Sequence, residues 1–431
     1  GLTTVGAANT ASSIAGIPFY YGDSGSIYTH DVSGTDSTAT SNTAFGINAM
    51  DAITTGDHNV AVGNNALGAN TSGERQVAVG AVALEDNSTG TRNTAVGYAA
   101  LTDNTTGNYN VAVGDITLYT NTEGHSNVAV GLGAMYANTT GQDCIAIGFE
   151  ALDANTTGSR NIAIGKSAYT ASDTENDNIA IGYQTMAANT AGGEQNVAVG
   201  NAALDALTSG DDNVAVGYAA LGANTTGGEN TAIGRNALLT NTTGNSNVSV
   251  GRSSMYASTT GSNNVGVGVD SLKANTTGTE NVAIGFEAMR LVTTASSNVA
   301  IGNEALENNV AAENVAVGTK ALRANTSGTQ NVAVGTEALK TMTTTEGQTA
   351  VGWKALELSV GNYNTAIGTE CMNDATGAGN CTGVGYHALR LLTTGAQNTA
   401  LGMQALYSNT DGARNLAIGY NAYSSSNSEN D

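Results

Sequence analysis

The stretch Asn93-Thr94-Ala95-Val96-Gly97-Tyr98-Ala99-Ala100-Leu101-Thr102-Asp103-Asn104-Thr105-Thr106-Gly107 decides how the chain is read, because a second copy starts 17 residues later at Asn110-Val111-Ala112-Val113-Gly114. The glycine that closes the short apolar run stands at Gly63, Gly80, Gly97, Gly114 and Gly131, and it recurs 23 times between Gly46 and Gly419. Only three intervals depart from 17 residues, one of 18 and two of 16. A fixed period with one apolar run per copy is the signature of stacked repeats, each covering the open face of its neighbour. The expected fold is all-β, a parallel β-solenoid of 23 coils over residues 42–431, with a non-repeating cap or junction over residues 1–41.

Composition fits that expectation better than a conventional core. The 431 residues include 5% aromatics, 12% charged residues, one proline and 56 glycines. Small residues form a dry interior only when they recur at a period that stacks like on like. The net charge of −22 comes from 36 acidic and 14 basic residues spread singly, so nothing neutralises a phosphate backbone and nucleic acid is excluded as a partner. No apolar run reaches the roughly 18 residues that a membrane-spanning helix needs. Three cysteines are too few for a disulfide scaffold, and Cys144 and Cys381 lie too many coils apart to pair.

Each repeat position has a predicted role. The residue before the anchor glycine is Val or Ile in 21 copies, and the one three before is Val, Ile, Thr or Leu throughout. Side chains alternate along a strand, so these two share a face, and the apolar pair is expected to fill the lumen with the Leu or Met four residues after the glycine. The residue between them, Ala in 20 copies, then points outward. A uniformly small outer row at Ala61, Ala78, Ala95 and Ala112 is expected to face another subunit of a homo-oligomer. Asparagine opens the strand in 19 copies, as at Asn59, Asn93, Asn110 and Asn127, and identical amides at the coil spacing can form a ladder. The loop reads Asn-Thr-Thr-Gly in many copies, and its glycine is expected to supply a positive φ.

These residues resemble the YadA-like head repeats of trimeric autotransporter adhesins, which share the Asn-x-Ala-(Val/Ile)-Gly core. The form Asn93-Thr94-Ala95-Val96-Gly97-Tyr98-Ala99-Ala100-Leu101 also looks like repeats of bacteriophage tail-fibre and virion structural proteins. The resemblance covers residues 42–431 and implies a left-handed β-roll, a trimer, an extracellular, cell-surface or virion location, and attachment to a surface receptor or glycan. The adhesin repeats are shorter, the extra residues here fall in the Asn-Thr-Thr-Gly loop, and without a neck, stalk or membrane anchor in these 431 residues the expectation is a fibre rather than a complete autotransporter.

The ends suggest assembly. Tyr420 to Asp431 aligns with Lys166 to Asp177, after which a new strand begins at Asn178. The missing strand resembles Leu2-Thr3-Thr4-Val5-Gly6. Leu2, Val5, Gly6, Asn430 and Asp431 are therefore the candidate junction of a head-to-tail filament, and a longer protein cut at this point is the rival.

Catalytic chemistry is not indicated. His30, His58, His125 and His387 occupy unrelated repeat positions, carboxylates do not recur as close pairs, and no cofactor or metal motif is present. Asn70, Asn87, Asn104, Asn138, Asn155, Asn224, Asn241, Asn275 and Asn325 match glycosylation acceptors, although turn chemistry explains them without sugar. The leading expectation is a non-catalytic structural fibre that attaches to surfaces. The alternative is an ice-binding solenoid using regular Thr and Asn rows.

Overall fold

A computed structural model describes residues 12–14, 17–21, 26–29, 38–189 and 192–425. Among the described residues it is an all-β parallel β-solenoid of about 22 turns, near 17 residues each and without helix. The candidate junction residues Leu2, Val5, Gly6, Asn430 and Asp431 lie outside the described residues. Strands β1 (Ser12–Ile14) and β2 (Ile17–Tyr21) form an antiparallel hairpin, and β2 pairs antiparallel with β3 (Ile27–Tyr28). From there every pairing is parallel. β3 meets β4 (Thr43–Phe45), and β4 meets β5 (Val60–Val62) with Ala44 opposite Ala61. The edge that the first coil would leave open is thus covered by β3 in parallel, and β3 is in turn paired by β2 running in the opposite direction. Tyr28 stands in register with Ala44 and is fully buried.

The chain divides into two units of contacts, residues 1–213 and 214–431. The first carries strands up to β13 (Val197–Val199), the second runs from β14 (Val214–Val216) to β26 (Leu416–Ile418). Every strand from β4 onward has three residues, and like positions pair with like: Ile145 with Ile162, Ala146 with Ala163, Ile147 with Ile164. Such short strands persist because the backbone outside them is also bonded from coil to coil. Leu67 N donates to Ala83 O, Ala69 N to Glu85 O and Arg75 N to Asp57 O.

The phase of the alternation is the reverse of the sequence expectation. Ala61, Ala78, Ala95 and Ala112 are fully buried within the single chain, so they form the lumen and not an inter-subunit face. Val60 and Val62 are each 37% exposed and lie outside. The reason is the width of the lumen. Where the alanine is Gly383, an added Cβ would stand 2.8 Å from Cys371 Sγ and 3.0 Å from Met372 Cε. Gly266 is hemmed in equally, with Ser254 Oγ 2.7 Å and Met255 Cγ 3.0 Å from such a Cβ. Both sites show compensation: the facing position, alanine in most coils, carries Cys371 or Ser254, and the strand residue shrinks to glycine. A valine has no space there. The interior of a coil is therefore two small residues, such as Ala61 and Ala66, with Leu67, Asn59 and Asn70, all fully buried.

Turn geometry also differs from expectation. The anchor glycines need their freedom, with φ of 143° at Gly63 and 142° at Gly97. In addition, a Cβ on Gly97 would lie 2.2 Å from Gly114 O. Apart from Gly192, with a φ of 102° in the 18-residue coil, the loop glycines ten residues after an anchor do not have positive φ. Gly73, Gly90 and Gly107 are glycine because a Cβ would meet the carbonyl of the next loop glycine at 2.3–2.4 Å and the adjacent Asn Oδ1 at 2.3–2.5 Å. Positive φ falls instead on non-glycine residues, three per typical coil: Asn65 (56°), Leu67 (53°) and Arg75 (57°) in one. Each costs roughly 1 kcal/mol against the ordinary helical basin. The inter-coil hydrogen bonds made by these same amides, such as Leu67 N to Ala83 O at 3.0 Å, hold them there.

Candidate functional surface

Two internal ladders of amides set the coil spacing and hold the outer face in place. The strand-opening asparagines work through the backbone, and in later coils their amides also bond to one another, as expected of a ladder: Asn213 Nδ2 donates to Asn196 Oδ1 at 3.0 Å and Asn247 Nδ2 to Asn230 Oδ1 at 3.1 Å. Asn110 N donates to Asn93 Oδ1 at 2.9 Å, and Asn110 Nδ2 donates to Gly124 O at 2.8 Å. Asn59, Asn93 and Asn127 make the same pair of contacts. The cysteine substitutes preserve the pattern: Asn161 N donates to Cys144 Sγ at 3.5 Å, and Asn398 N to Cys381 Sγ at 3.4 Å. Cys144, Cys371 and Cys381 are free and buried. Burial pushes their thiols up, Cys144 to about 11 and Cys371 to about 12, which disfavours the thiolate form.

The second ladder was not legible as one, because its asparagine reads as an ordinary turn residue. In the Asn-Thr-Thr-Gly loop the amides bond directly to one another. Asn87 Nδ2 donates to Asn70 Oδ1 at 2.9 Å, Asn104 to Asn87 at 2.7 Å, Asn121 to Asn104 at 2.9 Å and Asn138 to Asn121 at 2.7 Å. The same link joins Asn241 to Asn224 at 2.9 Å. Each amide also donates to the loop glycine carbonyl, as Asn104 does to Gly107 O at 3.1 Å. The apparent glycosylation acceptors Asn70, Asn87, Asn104, Asn138, Asn155, Asn224, Asn241, Asn275 and Asn325 are consequently fully buried. Turn chemistry and stacking account for them. The first loop threonine is engaged as well, Thr105 Oγ1 donating to Thr122 O at 3.1 Å and Thr122 Oγ1 to Thr139 O at 3.2 Å.

The outside carries three kinds of row. The first is the pair of Val, Ile and Thr columns from the strands. Val62, Val79, Val96, Val113 and Ile147 in the first unit are each more than a third exposed, as are Ile233, Ile284, Ile301 and Ile367 in the second. β-Branched side chains suit a pleated surface, but a solvated one gains nothing from being apolar in coil after coil.

The second row is ionic and belongs to the later coils. Lys340 Nζ lies 3.0 Å from Glu337 and 3.7 Å from Glu357, while Lys354 Nζ lies 3.5 Å and 3.4 Å from the same two carboxylates. Arg323 sits 2.8 Å from both Glu304 and Glu307. Arg390 is 2.7 Å from Glu370, with His387 3.0 Å from the same carboxylate. Hydrogen bonds from Arg390 and Lys340 hold the Glu370 and Glu337 carboxyls below their usual range. Opposite charges on successive coils fix register at modest energy.

The third row, one residue past the anchor glycine, mixes polar residues with exposed aromatics such as Tyr98, Phe149, Tyr183, Trp353, Tyr386 and Tyr420. Among the described residues no group of three or more His, Cys, Asp or Glu side chains could hold a metal ion. No helix among the described residues is long and apolar enough to cross a membrane. His58, His125 and His387 lie in separate coils, and His30 is outside the described residues. No family model matches the chain, and no curated protein is detectably similar to it in sequence. By class, the molecule is a β-solenoid with tandem repeats.

Proposed function

We propose that the chain is a non-catalytic structural component of an extracellular or virion fibre, a homo-oligomer that presents a repetitive surface for attachment. The observation that carries this reading is the apolar β-branched ribbon on the outside, repeated in coil after coil above an interior of alanine and asparagine. A contiguous apolar surface of that extent marks an interaction site. Only another molecule with the same coil spacing matches its period, and a further copy of the chain is the direct candidate. The resemblance of the repeat to adhesin heads supports a trimer as the form of the assembly. The partner face is thus the Val and Ile ribbon, in place of the alanines.

Electron microscopy of native or purified material tests this. Straight, thin appendages or filaments of uniform width are expected, and compact particles with no axial extension would contradict it. The ice-binding alternative loses support from the first loop threonines, whose hydroxyls are spent on carbonyls of the next coil. Freezing-point hysteresis in a purified sample would revive it.

A further inference from the structure

The row of residues immediately after the anchor glycine contains, in the last coils, Trp353, Thr369, Tyr386, Met403 and Tyr420. Their backbones stack directly: Glu370 N donates to Trp353 O, His387 N to Thr369 O, Gln404 N to Tyr386 O and Asn421 N to Met403 O, at 2.9–3.1 Å. The aromatic rings therefore fall on every second coil. Trp353 and Tyr386 are each 46% exposed, and Tyr420 is 69% exposed. Two coils advance by about 9.6 Å at the ordinary strand spacing. Trp353 is backed by the Lys354 ammonium, 5.0 Å from its ring, and Tyr386 by the His387 imidazole, with centroids 3.6 Å apart. The backing residues are themselves held by Glu337, Glu357 and Glu370. Trp353 and Tyr386 are thus each held by a neighbouring side chain while part of each ring meets solvent, and Tyr420 is the most exposed of the three.

We propose that Trp353, Tyr386 and Tyr420 form a stacking platform for an extended, neutral, β-linked polysaccharide. The ring face of a pyranose in such a chain is apolar and flat, which suits aromatic stacking. Its disaccharide repeat is close to the two-coil advance, so every second sugar meets a ring and the sugars between lie over Thr369 and Met403. A polyanion is disfavoured by the net charge of −22, and the nearby cations are already paired with carboxylates. The same two-coil spacing occurs between two exposed rings of the first unit, Phe149 and Tyr183. This site deepens the attachment reading and rests on it only for its place in an assembly.

The test is binding of the full chain to cellulose, chitin and their soluble hexasaccharides, with amylose as an α-linked control. Binding to at least one β-linked polymer and none to amylose is expected. Trp353→Ala, Tyr386→Ala and Tyr420→Ala should each weaken it roughly three- to tenfold, and the triple variant should abolish it. Tyr363→Ala, an exposed aromatic outside the row, should leave binding unchanged. Wild-type protein that retains no β-linked polymer overturns the proposal, and so does a triple variant that binds as wild type does. The oligomeric mass of the triple variant is measured alongside. A change there assigns the rings to an interface between copies and overturns the glycan site, whereas an unchanged mass with lost binding supports it.

Discussion

At the scale of single residues, the fold depends on positions where one extra carbon has no room. Gly97 combines a φ of 142° with a neighbouring carbonyl 2.2 Å from where a Cβ would lie. Gly97→Ala is expected to destabilise its unit by about 3 kcal/mol or more, since strain and backbone displacement add, read as a lower denaturant midpoint. Ala99→Gly, two residues on at a φ of 53°, should by contrast be nearly neutral or stabilising. Asp103 is a different case. Burial, with the Asp86 charge beside it, raises its carboxyl pKa above the ordinary value. The fold therefore favours the protonated form, and the ionised group opposes folding at neutral pH. Asp103→Asn should stabilise the protein at pH 7, and the gain should fade as pH falls through the ordinary carboxylate range. A gain that grows toward acid would contradict the assignment.

At the scale of the coil, stability rests on amides as much as on apolar burial. Asn104 accepts from Asn121 and donates to both Asn87 and Gly107, all without solvent. Asn104→Ala leaves several buried polar groups unpaired and is expected to cost about 2–4 kcal/mol. Thr106→Ala, on the exposed side of the same loop, should cost under about 0.5 kcal/mol. Denaturation curves of the two variants compare them directly. The period, the strand position and the lumen role of the Leu or Met site were readable in the sequence. The direction of the strand face was not, because alternation says only that Val96 and Ala95 point opposite ways. Hydrophobicity then favoured the valine as the inward residue, and lumen width decides otherwise. The pairing of Gly383 with Cys371, and of Gly266 with Ser254, held the signal that could have corrected it. Small-for-large exchanges between those two positions are intelligible only if both face inward. The loop ladder was hidden for a related reason, since Asn before Thr-Thr-Gly fits a turn without any neighbour.

At the scale of the whole molecule, turning the strands over moves the expected partner contact from alanine to the Val and Ile columns and strengthens the case for it. Alanine rows could be dismissed as a tight interior, which is what they are. A solvent-facing apolar ribbon cannot be dismissed in the same way, because exposing it gains nothing and risks nonspecific association. The measurement that tests this most directly is the solution mass of the purified chain by sedimentation equilibrium, with Val79→Lys, Val96→Lys and Val113→Lys combined as the comparison. The wild type is expected at three times the 43.0 kDa chain mass, and the lysine variant should dissociate while keeping its β-rich circular dichroism. A wild-type protein that sediments as a single 43.0 kDa chain, unchanged by the lysines, would contradict the account.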